Sequence, residues 1–252
     1  MSVKSALPLC WVLSLLTPTL SAQNPVECHG LWYTLDASDS TATVVANPTE
    51  NSYSGDVEIP DVIEYNGEKY DVTAIDKGAF SGLTELQSVT IGNQVKTINE
   101  SAFAYSSVTS AVIGKGVQKI DNFTFYSCKR LAYVLIGNGV THIGTSAFHH
   151  CKSLSTVILG KSVYDVGESA FYDCENLRDV YFLREYPPYI DYWSYCFDGR
   201  YDGNMIIHVP ESGIDNYAWS TLGYRSKEVQ TIKDDELENL SKMLYDKIRN
   251  HE

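Results

Sequence analysis

The sequence predicts a mainly β solenoid of parallel strands, wound in coils of 22–23 residues. Three observations predict it. Phe80, Phe103, Phe125, Phe148 and Phe171 recur at steps of 23, 22, 23 and 23. Ile75, Ile98, Ile120, Ile143 and Val166 keep the same steps, and Val95, Val117, Val140 and Val163 hold the same phase. Each unit also breaks on a glycine at an equivalent place, at Gly92, Gly114, Gly137 and Gly160. Self-similarity at a fixed period marks stacked repeats, because one unit alone cannot bury its apolar side.

Within a unit, Leu131–Phe148 reads LAYVLIGNGVTHIGTSAF, and Leu154–Phe171 reads LSTVILGKSVYDVGESAF. Leu131-x-x-Val134-x-Ile136 alternates at its end as a short strand does, and its β-branched residues suit a pleated ladder. Gly137 ends the strand. A second extended piece follows through Val140–Ile143, and Ala147-Phe148 closes the coil. Coils stacked about 4.8 Å apart pair their strands and share one core. A period of 22–23 residues lies in the range of leucine-rich repeats, so the expected architecture is a right-handed leucine-rich-repeat solenoid with a parallel sheet along one face.

The elements follow in chain order. Residues 1–22 carry one charge, Lys4, ahead of the apolar run Leu7–Leu16, and end on Leu20-Ser21-Ala22. That layout is a secretory signal peptide cleaved after Ala22. The competing reading, a membrane anchor, needs a run of about 20 apolar residues. Neither Cys10 nor Cys28 follows a lipid-attachment box. Residues 23–74 form an N-terminal β cap with the opening coil, residues 75–182 the regular repeats, and residues 183–232 an irregular aromatic repeat and cap. Residues 233–252 read as a short amphipathic helix, with Leu237, Leu240, Met243, Leu244 and Ile248 at helical spacing. Acids crowd its start and Lys247 and Arg249 its end, as the helix dipole prefers. It could cap the last coil or pair with another copy.

Composition narrows the partners. The 252 residues carry a formal charge of −13, which argues against nucleic acid or an anionic membrane, since both need clustered Lys and Arg. Cys128, Cys151, Cys174 and Cys196 sit in phase, three residues after their column Phe in the first three cases. Side chains in equivalent positions of stacked coils run parallel instead of converging, so these read as small buried hydrophobes and not as disulfides. His149-His150-Cys151 lacks the ligand set of a zinc site, and a buried thiol is a poor nucleophile. Asp198–Asn204 reads as a turn in preference to a calcium loop, because the distal Glu is missing. No catalytic spacing or phosphate loop occurs, so the expectation is no enzyme, no metal and no cofactor.

Two surfaces remain as partner sites. If Val134 and Ile136 face the core, Tyr133 and Leu135 face out, and the outward column Val112, Leu135, Ile158, Tyr181 is unexpectedly apolar. Strand propensity competes directly with binding as its explanation. The second extended piece offers Thr97, Lys119, His142 and Asp165, a polar column suited to solvent. Residues 181–201 hold nine aromatics, among them Tyr186, Tyr189, Tyr192 and Trp193, an alternative site for sugars or peptides. Capping of the open last coil is the competing role there. Asn99-Glu100-Ser101, Asn122-Phe123-Thr124 and Asn239-Leu240-Ser241 are glycan acceptor patterns.

The repeat AF-x-x-C-x-x-L-x-x-V-x-I-G-x-x-V-x-x-I-G, standing as Ala147–Gly167, resembles the BspA-like leucine-rich repeats of bacterial and protozoan surface proteins. Gly55–Ile75 looks like the opening coil of secreted members, and Ile207–Pro210 with Tyr217 like the closing one. The likeness spans roughly residues 53–232, by the run of the period. The resemblance implies a secreted or cell-surface binding protein, with adhesion to host matrix proteins or neighbouring microbes. A glycan ligand, or a purely structural role in a surface layer, is the alternative.

Overall fold

The computed structural model describes residues 24–49, 53–190, 195–197, 204–218 and 226–233, with single residues 220, 222, 236, 239 and 242. The N-terminal cap opens as a meander of β1 (Val26–Cys28), β2 (Leu31–Asp36) and β3 (Thr41–Val45). His29 and Gly30 join the first two with φ of 52° and 80°, the left-handed pair that a two-residue hairpin needs. β4 (Gly55–Ile59) follows, and β5 (Val62–Tyr65) pairs β6 (Glu68–Ile75) through Asn66-Gly67 in the same manner.

From residue 86 each coil lays down one longer and one shorter strand. The longer strands are β7 (Leu86–Ile91), β9 (Ser110–Ile113), β11 (Tyr133–Ile136), β13 (Thr156–Leu159) and β15 (Asp179–Phe182). With β4, β16 (Ile206–Pro210) and β17 (Glu228–Ile232) they make a wide sheet whose strands are all parallel. The shorter strands are β8 (Thr97–Ile98), β10 (Lys119–Ile120), β12 (His142–Ile143) and β14 (Asp165–Val166). They continue β6 as a narrow parallel ladder, so the second extended piece expected in each coil pairs with its neighbours in a sheet of its own. Two residues per strand suffice because the neighbouring coil supplies the same hydrogen bonds at every step.

The core lies between the sheets and is closed by the phenylalanine column. Neighbouring rings of Phe80, Phe103, Phe125, Phe148, Phe171 and Phe197 lie 4.8–5.2 Å apart and within 7° of parallel. Stacked coils set that spacing, and Tyr53 covers the first ring at 4.8 Å. Phe197 follows Phe171 by 26 residues yet joins the stack, so the extra length leaves the core untouched. Cys128, Cys151, Cys174 and Cys196 are buried thiols outside any disulfide, as their phase implies. The thiols of Cys128, Cys151 and Cys174 donate to the carbonyls of Phe103, Phe125 and Phe148 at 3.0–3.1 Å.

Two tight turns recur in register. Gly78, Ser101, Phe123, Ser146 and Ser169 all hold φ between 54° and 66°, and so do Gly82, Tyr105, Ser127, His150 and Asp173 between 57° and 74°. Only the first coil uses glycine at both places. Elsewhere an L residue bears the left-handed cost of roughly 1–2 kcal/mol, and stacking enforces it. At the strand ends the constraint is contact: a Cβ on Gly114 would lie 2.3 Å from the Gly92 carbonyl oxygen. A short 3-10 turn (Glu211–Gly213) and α1 (Ile214–Ala218) then place Tyr217 over the end of the core, 5.3 Å from Phe182. The Tyr217 hydroxyl donates to the Tyr186 carbonyl at 3.1 Å, which satisfies its one polar atom.

Candidate functional site

In the parallel register of the wide sheet, Val134 and Ile136 point into the core and their neighbours point away. One outward column is Ser88, Ser110, Tyr133, Thr156 and Asp179; the other is Thr90, Val112, Leu135, Ile158, Tyr181 and His208. Five residues singled out from the sequence therefore meet on one face. Tyr133, Leu135 and Tyr181 are half-buried around Ile158 and Leu183, which form an apolar cluster separate from the core.

Two of the five are less accessible than their outward direction implies. Ile158 is 0% exposed and Val112 8%. Ile158 is flanked by Leu135 and Tyr181 on the adjoining strands and packed by Tyr133 and Leu183, whose side chains are large enough to lean over it. Val112 sits in the row between Thr90 and Leu135. Ser88 and Ser110 are buried as well, and the Ser88 hydroxyl donates to Asp56 at 2.6 Å.

The column ends in a polar group. His208 stacks on the Tyr181 ring at 4.1 Å and 9°, and its Nε2 lies 2.8 Å from an Asp179 carboxylate oxygen. Burial, then the nearby Asp179 charge, pushes the Tyr181 phenol up. Beside this pair opens a pocket of about 420 Å³, lined by Tyr181, His208, Gln230, Thr231, Glu236 and Asn239 among others. The floor comes from β15, β16 and β17, and one wall from the C-terminal segment.

Sequence reading missed Leu183 and His208. Leu183 could have been found by carrying the alternation of β15 one residue further, since Phe182 faces in. His208 could not, because the stretched last period hides its register with Tyr181.

The aromatic alternative is divided. Tyr186 and Tyr189 are 60% and 68% exposed. Tyr192 and Trp193 lie outside the described residues, as do residues 198–203 of the suggested calcium turn. Tyr189 extends the narrow ladder: its amide donates to the Tyr164 carbonyl at 2.6 Å, and its carbonyl accepts from Val166 at 3.1 Å. On that ladder the outward Thr97 and Lys119 are exposed, and His142 pairs with Asp165 at 2.8 Å.

The adjacent histidines and the column thiols serve the stack. His150 Nδ1 bonds the Asp173 carboxylate one coil away. His149 sits between the edges of Tyr126 and Tyr172, and burial, with His150 beside it, pulls its pKa down. Burial pushes the Cys128 thiol up to about 12 and the Cys151 and Cys174 thiols upward as well, so none is poised as a nucleophile. Among the described residues no group of three or more His, Cys, Asp or Glu could hold a metal ion.

A family model for the BspA-type leucine-rich repeat region matches residues 63–178 in six copies. Residues 63–178 are BspA-type leucine-rich repeats. The BspA-type coils share their fold with a leucine-rich repeat protein from T. pallidum, at 19% identity over 84% of each chain and a TM-score of 0.56. A leucine-rich repeat protein from Bacteroides capillosus is similar at 23% identity, over 64% of this chain and 99% of that one, with a TM-score of 0.45. No curated protein sequence matches the chain. Among its described residues no helix is long and apolar enough to cross a membrane.

Proposed function

We propose that this BspA-type repeat protein is exported and acts at the cell surface or outside the cell, binding another protein through the outward face of its wide sheet. The observation that carries this reading is the apolar row Val112–Leu135–Ile158–Tyr181 with Leu183, on a face the core does not need. Contiguous apolar surface outside a core marks an interaction site. The likeness of the repeat to those of bacterial and protozoan surface proteins is what suggests adhesion as its purpose, toward host matrix or neighbouring microbes. Export rests on the layout of residues 1–22.

The test is capture of extracellular matrix and microbial surface proteins by the chain lacking residues 1–22, compared with a Leu135→Asp, Tyr133→Ala variant. Loss of a captured protein in the variant, which stays folded at the assay temperature with an unfolding midpoint only modestly lowered, is the expected result. Equal capture by both removes the sheet-face reading. The exposed rings of Tyr186 and Tyr189 favour a second reading, glycan stacking at the C-terminal end. Glycan binding lost on Tyr189→Ala alone would select it.

A further inference from the structure

Phe123 and Tyr105 stand where bulky side chains are least expected. Both hold the left-handed conformation, with φ of 57° and 62°. Equivalent turns carry Gly78, Ser101, Ser146 and Ser169 in the first case, and Gly82, Ser127, His150 and Asp173 in the second. Small or polar residues therefore satisfy both turns, and a large ring there adds strain without filling the core. Each ring projects outward, Tyr105 at 61% and Phe123 at 38% exposure. Bulky residues held at positive φ cluster at ligand clamps.

The two rings open a continuous ridge along the turns that lead from the narrow ladder to the wide sheet. Tyr126 meets Tyr105 at 5.4 Å and Phe123 at 5.8 Å, then His149 at 5.2 Å, and His149 meets Tyr172 at 5.0 Å, all edge-on. The fold does not require this row either, because the first two coils place Ser81 and Ala104 where Tyr126, His149 and Tyr172 stand. Among the described residues the hydroxyls of Tyr105, Tyr126 and Tyr172 have no hydrogen-bond partner. His150 bonds Asp173 through Nδ1, which leaves its Nε2 over.

We infer that this ridge is a carbohydrate site, taking a linear run of an uncharged polysaccharide with one sugar unit to each coil. From Tyr105 to Tyr172 the ridge crosses three coil steps, about 14 Å in all, and a sugar unit in an extended glycan is about as long as one step. The rings offer apolar surface to the C–H faces of the sugars, and the phenol hydroxyls and the His150 Nε2 offer polar contacts to their hydroxyls. A protein partner fits worse. The ridge is one ring wide, so its area falls far short of the roughly 800 Å² per partner that a stable protein interface buries. Its outward positions also hold no branched aliphatic side chain. Asp173 and the formal charge of −13 disfavour an anionic glycan. The ridge shares no residue with the apolar row of the wide sheet or with Tyr186 and Tyr189, so it rests on neither reading above.

Affinity electrophoresis of the full chain tests this, in gels holding mannan, laminarin, xyloglucan or arabinoxylan, with alginate as the charged control. Phe123→Ser and Tyr126→Ala copy residues that other coils already carry, so the double variant should stay folded, and its unfolding midpoint checks that. Expected is retardation by at least one uncharged polysaccharide, weakened at least tenfold in the double variant and unchanged in Leu135→Asp and in Tyr189→Ala. Retardation by none of the four, by alginate alone, or equally in the double variant overturns the inference. Retardation lost on Tyr189→Ala and kept in the double variant moves the glycan to the C-terminal end and overturns it too. Soluble oligosaccharides of the retarding polymer, in increasing length, need no substitution and so decide the matter if the double variant unfolds. Their competition should strengthen up to about four units, one for each coil from Tyr105 to Tyr172, and then level off. No gain beyond a disaccharide overturns the extended site. Protein capture lost in the double variant, with no polysaccharide retarding the chain, would assign the ridge to a protein partner instead.

Discussion

The two parallel ladders are built by the same coils, share one core and repeat with the same period, yet their outward residues differ in kind. On the narrow ladder Thr97, Lys119, His142 and Asp165 are polar and meet solvent, as a free surface should. On the wide sheet Val112, Leu135, Ile158 and Tyr181 are apolar and partly or wholly buried. Stacking dictates the inward residues of both and neither set of outward ones. The apolar row on the wide sheet is therefore an addition to the fold, which strand propensity alone does not explain, because the narrow ladder is held by the same kind of pairing without it.

The strongest way to break the comparison is to remove what the ladders share. Phe125→Ala leaves a gap between Phe103 and Phe148, and both faces should lose stability together, by about 3–5 kcal/mol for a buried aromatic. Denaturant unfolding followed at probes on each face should show one coincident transition. Separate transitions would mean that the two ladders are not one cooperative unit.

Alkaline titration acts on the same shared interior. An unfolded cysteine thiol ionises near pH 9.0, whereas burial holds the proton of Cys128 until about 12. Between those values only the unfolded chain releases the proton, so stability falls as pH rises from about 9 and the loss is complete near 12, by up to about 1.4 kcal/mol per pH unit per thiol. Urea midpoints at pH 8, 9.5 and 11 should show the decline, and Cys128→Ala should reduce its slope. An unchanged slope would assign the decline to other groups.

Single outward substitutions sharpen the contrast. Leu135→Asp should cost about 1 kcal/mol, since a half-buried leucine loses its contacts with Ile158 and Tyr181. Lys119→Glu on the narrow ladder should stay within about 0.5 kcal/mol of zero. Equal costs would erase the distinction between the faces.

Smaller effects belong to the turns, outside both ladders. Burial lowers the pKa of His149, so the unfolded chain takes up its proton first and stability is lost as pH falls below about 6.5. His149→Tyr copies Tyr126 and Tyr172 of the adjoining coils and should flatten that acid limb in unfolding midpoints taken from pH 5 to 7.5. Ser101→Gly, at a φ of 57°, should raise stability by about 0.5 kcal/mol, as it relieves a left-handed residue where the first coil already uses Gly78. A loss of stability would show that the Ser101 side chain contributes more than the turn costs.

How far each feature could be read beforehand follows from whether it repeats. The coil boundaries, the Phe column and the unbridged thiols of Cys128, Cys151, Cys174 and Cys196 were legible because every unit restates them. The outward row was legible through alternation. The completeness of Ile158 burial was not, since it depends on Leu183 and Tyr133 leaning over from other positions. His208 was hidden because its coil departs from the period. The left-handed Ser, Tyr, Phe, His and Asp residues gave no sign either, for their conformation comes from the stack and only the first coil marks it with glycine.

The glycine contacts at the strand ends carry a consequence for how such a molecule changes size. Gly92, Gly114, Gly137 and Gly160 let each coil meet the next through the same tight backbone junction, so a tandem duplication of one 22–23-residue stretch would meet ready-made junctions on both sides. The insertion would lengthen the protein by about 4.8 Å and bring one fresh pair of outer positions open to mutation. Reach and outer-face chemistry can thus evolve separately, the first by counting units and the second by repainting them.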